Sequence, residues 1–156
     1  MIYYLNIGAN VGNCEGNIRQ AIKRIENECG VVTRKSDFVR SAPWGYASTH
    51  RFLNIGVAFE SGIQPQQMLQ TLRDIEQEVA PGTSHRTPQG GYADRAIDID
   101  IIAIDSRVID SATLQVPHPR MHLRDFCLQP MIELAPLWVH PKLGLTARQM
   151  LEKLNQ

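Results

Sequence analysis

The sequence predicts an α+β fold in one domain spanning 1–156: an antiparallel sheet, helices packed on one of its faces, and long loops. Three observations predict it. With 156 residues and 43% hydrophobic content, the chain can bury a single core. The spacing of its apolar residues switches between two and 3.6 along the chain, in the order β-α-β-β-α-β. The stretches between these segments are rich in Gly, Pro, Ser and Thr, which punctuate rather than extend regular structure.

Residues 1–8 read as a strand with Tyr3, Leu5 and Ile7 on one face. Residues 14–29 read as an amphipathic helix, because Ile18, Ala21, Ile22, Ile25 and Cys29 follow helical spacing; Asn13 is placed to cap its start and Gly30 its end. A second strand is expected over 31–40, then a loop, then a third strand over Phe52–Glu60. Pro65 opens a second helix at a position where its missing N–H costs little. That helix buries Met68, Leu69, Leu72, Ile75 and Val79 and stops before Pro81-Gly82. Residues 81–94 show no apolar period and form a long loop, a length that compact domains usually retain for a use. Ile97–Ile104 is an Ile-rich strand, and a C-terminal helix is expected near 146–154. This order matches the ferredoxin-like split βαβ arrangement. With both helices on one face, the other face of the sheet would be free for ligands.

Composition excludes several classes. No apolar run approaches the roughly 18–20 residues a bilayer helix needs, and the opening MIYYLNIGA lacks signal-peptide features, so a cytoplasmic location is expected. Cys14, Cys29 and Cys127 are odd in number, widely spaced and without a CxxC pair, which points to packed thiols rather than a disulfide framework or zinc site. Sixteen acidic and sixteen basic residues cancel, so no global field draws in nucleic acid. Locally, Arg86, Arg95, Arg120 and Arg124 share half of the chain with Asp98 and Asp100, which suits a small anionic ligand handled with metal.

The segment IDIDI carries the chemistry. Asp98 and Asp100 share one face of a strand, roughly 6.6–6.8 Å apart at the backbone, while Ile97, Ile99 and Ile101 anchor the other. Carboxylates so spaced can flank two hard cations, which in two-metal sites lie ~3.5–4 Å apart. Magnesium suits them, since it takes few carboxylates and leaves positions for phosphate oxygens and water. A bare DxD is more often a wet strand face. Here Arg95 just upstream and the His-Pro-Arg turn with Arg124 downstream supply the guanidiniums a polyphosphate requires.

The chain resembles the 6-hydroxymethyl-7,8-dihydropterin pyrophosphokinases over nearly its whole length. The resemblance runs through NIGANVGN, SAPWGY, FLN, IEQE, YADRAIDIDII and VPHPRMHLRDFCLQPMIELAP, of which the last two together are highly specific. It implies pyrophosphate transfer from ATP, as co-substrate, to the pterin hydroxymethyl group in folate biosynthesis. It also implies Asp98 and Asp100 as ligands of two magnesium ions. Arg95, His118 and Arg124 would contact the ATP phosphates, with Tyr92 near the nucleotide and Arg86 a basic residue of the second loop that takes part in catalysis. Phe52 and Phe126 would sandwich the pterin. Asn54, with groups around Ser41, Pro43, Trp44 and Gly45, would read its polar edge. Glu76 matches a family glutamate assigned to ATP, and a helix-face salt bridge fits it equally. Trp44 is either a loop anchor or a cap over the ligand, and His118 is either a rigid turn residue or a phosphate donor.

For Phe52, residue type alone favours core packing. Leu53, Ile55, Val57 and Phe59 already fill the opposite face of that strand, which favours a ligand wall instead. The family usually has an arginine directly after a glycine in the second loop. This chain has Gly82-Thr83-Ser84-His85-Arg86, where Arg86 matches the next basic residue and either it or His85 is placed to substitute. Losing one charge-assisted phosphate contact would cost ~1.5–3 kcal/mol. The expected chemistry is in-line attack of the pterin hydroxyl on the β-phosphorus with AMP leaving, Asp100 being a candidate proton acceptor. Loops 41–51 and 81–94 are candidate lids. A monomer acting on small molecules, away from membrane and nucleic acid, is expected. A noncatalytic pterin or nucleotide binder, or an RNA-binding sheet, are the rival classes.

Overall fold

A computed structural model of the chain describes residues 1–42, 51–81 and 94–156. Its spine is β1 (Ile2–Ala9), where Tyr3, Leu5, Ile7 and Ala9 are fully buried on one face. α1 (Cys14–Glu28) begins where the Asn13 side chain accepts the Gly16 N–H at 3.1 Å, the expected cap. At its other end the Gly30 N–H reaches back to the Ile25 carbonyl.

The strand expected over 31–40 is two pieces, β2 (Val32–Lys35) and β3 (Val39–Ser41), both antiparallel to β4 (Phe52–Glu60). Lys35 faces Val57, but Val39 faces Asn54, so one extra residue is accommodated between them. Ser36 sits in this bulge and substitutes its hydroxyl for a ladder partner, accepting the Gly56 N–H at 2.8 Å.

α2 (Pro65–Val79) opens on proline as expected and buries Met68, Leu72 and Ile75 fully; Leu69 and Val79 are half-buried against the same core. β5 (Asp98–Ile104) completes a sheet ordered β2-β4-β1-β5, all neighbours antiparallel. α1 and α2 pack together on the face made by Tyr3, Leu5, Ile7, Ile55, Val57, Phe59, Ile99 and Ile101. This is the ferredoxin-like arrangement.

The other face is free only in part. After the short hairpin β6 (Ile109–Asp110) and β7 (Gln115–Val116), a 3-10 turn at Met121–Leu123 leads into α3 (Asp125–Leu134), and α4 (Ala147–Leu154) follows. A second apolar cluster joins α3 and α4 to Ile102 and Ala103 of β5 and to Trp138. Helices therefore cover one half of that face and leave the other half open. α4 is the expected C-terminal helix, held by a capping box between Thr146 and Gln149.

α3 escapes periodicity because Pro130 lies inside it and its buried residues, Cys127, Leu128, Pro130, Met131 and Leu134, do not keep to a narrow stripe. It reaches the sheet at Gly56, where a Cβ would stand 2.7 Å from the Pro130 Cβ and 2.9 Å from Leu134. No helix among the described residues is long and apolar enough to cross a membrane. The three cysteines are free thiols.

Candidate active site

The open half of the sheet face carries polar side chains in two cross-strand rows. Gly8 of β1 lies between Asn54 of β4 and Asp98 of β5, and Asn6 lies between Gly56 and Asp100. The alternation that sends Leu5, Ile7 and Ala9 into the core sends Asn6 and Gly8 to this side. Gly8 is glycine for a steric reason: a Cβ there would stand 2.8 Å from Asn54 Oδ1.

These rows floor a cleft. Phe52, half-buried at the start of β4, forms one side, and Phe126 in the first turn of α3 forms another. Asn54 is 2% exposed and donates through Nδ2 to Ser41 Oγ at 2.9 Å and to the Val39 carbonyl at 3.3 Å, which fixes its amide orientation. Two aromatic walls with an oriented amide between them can hold a flat, polar heterocycle by stacking and edge hydrogen bonds.

Phe126 is placed by an unusual partnership. Pro130 has no N–H to give to the carbonyl four residues back, which is that of Phe126. Asn6 Nδ2 donates to this carbonyl instead, at 2.9 Å. The proline that breaks the helix ladder thus lets a β1 side chain hold the aromatic wall next to Asp100.

Asp98 and Asp100 close the cleft on the β5 side, at 7% and 9% exposure. Arg95, 1% exposed, donates Nη1 to Asp98 Oδ1 at 2.6 Å. Asn10 holds the Arg95 backbone in place, accepting its N–H on Oδ1 at 2.7 Å and donating its own N–H to the Arg95 carbonyl at 2.9 Å. Arg124, 2% exposed at the N-cap of α3, lies 5.7 Å from the Phe126 ring centre and completes the cationic wall. Behind it, burial pushes the Cys127 thiol up to about 12, Arg124 opposing the shift and Asp100 and Asp98 adding to it. That thiol is a packing group.

Asp100 also borders a second, more open recess, together with Arg73 of α2, residues 111–115 and His118. His118 is fixed there by its N–H to the Ile102 carbonyl, at 2.8 Å, and by its Nδ1, which accepts the Arg120 N–H at 3.1 Å. No cluster of three or more His, Cys, Asp or Glu side chains stands ready for a metal among the described residues. Two acidic oxygen donors beside open space fit magnesium that arrives with phosphate and water ligands, not a cation caged by protein alone.

A family model for 7,8-dihydro-6-hydroxymethylpterin-pyrophosphokinase matches residues 4–136. The chain belongs to this family. A Porphyromonas gingivalis protein named 2-amino-4-hydroxy-6-hydroxymethyldihydropteridine pyrophosphokinase is 37% identical over 143 residues, covering 90% of this chain and 95% of its own length. An Aquifex aeolicus protein of the same name is 33% identical over 138 residues, covering 88% of this chain and 82% of its own. Among solved structures, the wild-type Plasmodium falciparum HPPK-DHPS crystal structure with STZ-DHP superposes with a TM-score of 0.75 at 14% identity. The match covers 97% of this chain and 43% of that one, so the chain spans less than half of the solved protein, and the likeness concerns the fold.

Of the residues that the pyrophosphokinase resemblance singles out, Ser41, Phe52, Asn54, Asp98, Asp100, Arg124 and Phe126 meet at the first cleft. Arg95 stands behind Asp98, and His118 stands in the second recess. Pro43, Trp44, Gly45, His85, Arg86 and Tyr92 lie outside the described residues. Glu76 lines neither recess: it is 1% exposed on the sheet side of α2, with its oxygens bonded to Arg73 and to the Ile99 N–H. Sequence reading assigned no role to Asn6, Gly8, Asn10 or Arg73. The first three carry a legible signal, a polar or glycine residue at every second position from 6 to 10, through the end of β1. Arg73 carries none, because on a helix face it looks like any solvated cation.

Proposed function

We propose that the chain transfers a pyrophosphoryl group from ATP to the hydroxymethyl group of 6-hydroxymethyl-7,8-dihydropterin, giving the pterin pyrophosphate and AMP in folate biosynthesis. The observation that carries this is the place of Asp100, which borders both the aromatic cleft and the recess beside Arg73 and His118. A carboxylate pair shared by two recesses suits a reaction that joins two substrates at a polyphosphate.

In this reading Phe52 and Phe126 stack on the two faces of the pterin, and Asn54 with Ser41 reads its edge. The stacked ring then directs its hydroxymethyl arm toward Asp98 and Asp100. Arg95 is assigned to hold Asp98 oriented, through its 2.6 Å bond. Arg124, His118 and Arg73 offset phosphate charge from their own sides of the carboxylates, and Arg86 and Tyr92 are assigned to the nucleotide by family resemblance. Asp98 and Asp100 would hold two magnesium ions, which supply Lewis-acid neutralisation of the polyphosphate. Rate would then come mainly from holding the hydroxyl in line with the β-phosphorus, with Asp100 placed to receive its proton. Small-molecule substrates and a monomeric state complete the proposal.

Mixing the protein with ATP, magnesium and the hydroxymethyl-dihydropterin should yield pterin pyrophosphate and AMP, detected by mass spectrometry. Asp98→Asn and Asp100→Asn should each abolish the product. Turnover like that of the wild type in either variant would refute the metal assignment. Tight pterin and nucleotide binding by the wild type with no product would favour a noncatalytic binder, the reading to which the absence of an arginine directly after Gly82 lends weight.

A further inference from the structure

Ile99 is the residue between the two aspartates, and its backbone is held from outside the sheet. β5 is an edge strand, paired with β1 alone among the described residues, and edge strands leave every second residue's polar groups without a ladder partner. At Ile99 one turn of α2 supplies both partners. The Ile99 N–H donates to Glu76 Oε2 at 2.7 Å, and the Ile99 carbonyl accepts from Arg73 Nη1 at 2.9 Å. The same Nη1 donates to Glu76 Oε1 at 2.7 Å, closing a ring of three bonds.

The chemistry of these two groups matters because of the peptides they belong to. That N–H lies in the peptide joining Asp98 to Ile99, and that carbonyl lies in the peptide joining Ile99 to Asp100. The clamp therefore fixes the planes of both peptides, and with them the directions in which the two carboxylates leave the strand. Arg73 reaches the second recess at 31% exposure, whereas Glu76 is 1% exposed and touches neither recess.

We propose that Glu76 is a positioning residue for the carboxylate pair: through the Ile99 N–H and Arg73 it sets the geometry with which Asp98 and Asp100 take up divalent cations. This rests on the assignment of those aspartates as cation ligands, and its experiment separates the two. Backbone amide exchange is measured on the protein without metal, and magnesium is titrated into the protein mixed with a non-hydrolysable ATP analogue. Glu76→Ala should expose the Ile99 amide to faster exchange and weaken the apparent magnesium affinity about tenfold, the lower range for a group that supports a metal ligand indirectly. Pterin affinity should stay near that of the wild type. Glu76→Gln keeps a carbonyl oxygen for the Ile99 N–H and should restore most of both properties. Should the alanine variant not fold, Glu76→Asp, which keeps the charge but withdraws it by one methylene, is read in the same way.

Unchanged Ile99 exchange and magnesium affinity in the folded alanine or aspartate variant would overturn the proposal. So would equal losses in the alanine and glutamine variants, because charge rather than the backbone bond would then carry the role. Asp98→Asn is the control. If it leaves magnesium affinity intact, the cation assignment itself fails; if it removes that affinity while the Glu76 variants do not change it, the clamp alone fails.

Discussion

At Gly8 a single methyl group would decide whether the cleft keeps its floor. Asn54 cannot retreat freely from an added Cβ, because its amide is held by Ser41 and Val39. Gly8→Ala should cost about 1–3 kcal/mol, as overpacking does elsewhere, and should weaken pterin binding as the amide is displaced; urea denaturation and a pterin titration measure the two effects. His140 predicts a pH dependence. Its Nδ1 accepts the N–H groups of Lys142 and Leu143, both at 3.1 Å, so the neutral ring carries its proton on Nε2, and protonation would place a second hydrogen against two donors. Burial first, then His122 and Lys142, hold its pKa below the ordinary 6.5. The folded value is the lower one, so the unfolded chain takes up the proton first. The stabilisation is complete above pH 6.5 and is lost as pH falls through the depressed folded value. Urea midpoints should therefore drop from neutral to mildly acidic pH, and His140→Gln should flatten that drop.

At the scale of elements, α3 supplies one wall of the cleft. Its N-cap is Arg124, its first turn carries Phe126, and its Pro130 frees the carbonyl that Asn6 binds. All three depend on the close approach that Gly56 permits. Gly56→Ala would set a Cβ 2.7 Å from that of Pro130, and neither backbone element can yield as a flexible side-chain tip would. We expect a loss of about 1–3 kcal/mol together with weaker pterin binding, as α3 moves outward and carries Arg124 and Phe126 with it. Denaturation curves and pterin titrations check this, and a stability loss with unchanged pterin affinity would contradict it. α1 and α2 were legible because their apolar stripes are regular and bounded by Asn13 and Pro65. α3 was not, because its proline signals a stop and its burial comes from two sides.

For the whole molecule, the consequence to measure is linkage between ligand and stability. A ligand at about 100 times its Kd stabilises by about 2.7 kcal/mol, which in a domain of this size corresponds to a Tm rise of about 5–11 °C. ATP analogue with magnesium should raise Tm in that range, and Asp98→Asn should reduce the rise to that seen with nucleotide alone. Equal shifts in the wild type and the variant would mean that the nucleotide binds independently of the carboxylates. Neutral net charge leaves such binding to the local arginines, so its salt dependence should be that of a few contacts and not of a broad basic surface.

Local repetition along the chain carries the strand–helix order, the buried faces of α1, α2 and β1, and the alternation that puts Asp98 and Asp100 on one side of β5. Periodicity records which side of an element is dry, and that needs no knowledge of neighbours. Which elements those faces meet is a matter of long-range packing. That packing brought Asn6 to the carbonyl released by Pro130, set Gly8 against Asn54, and turned Glu76 and Arg73 onto the peptides between the aspartates. Each of these contacts joins residues far apart along the chain, and their fit depends on distances of a fraction of an ångström that no local pattern encodes.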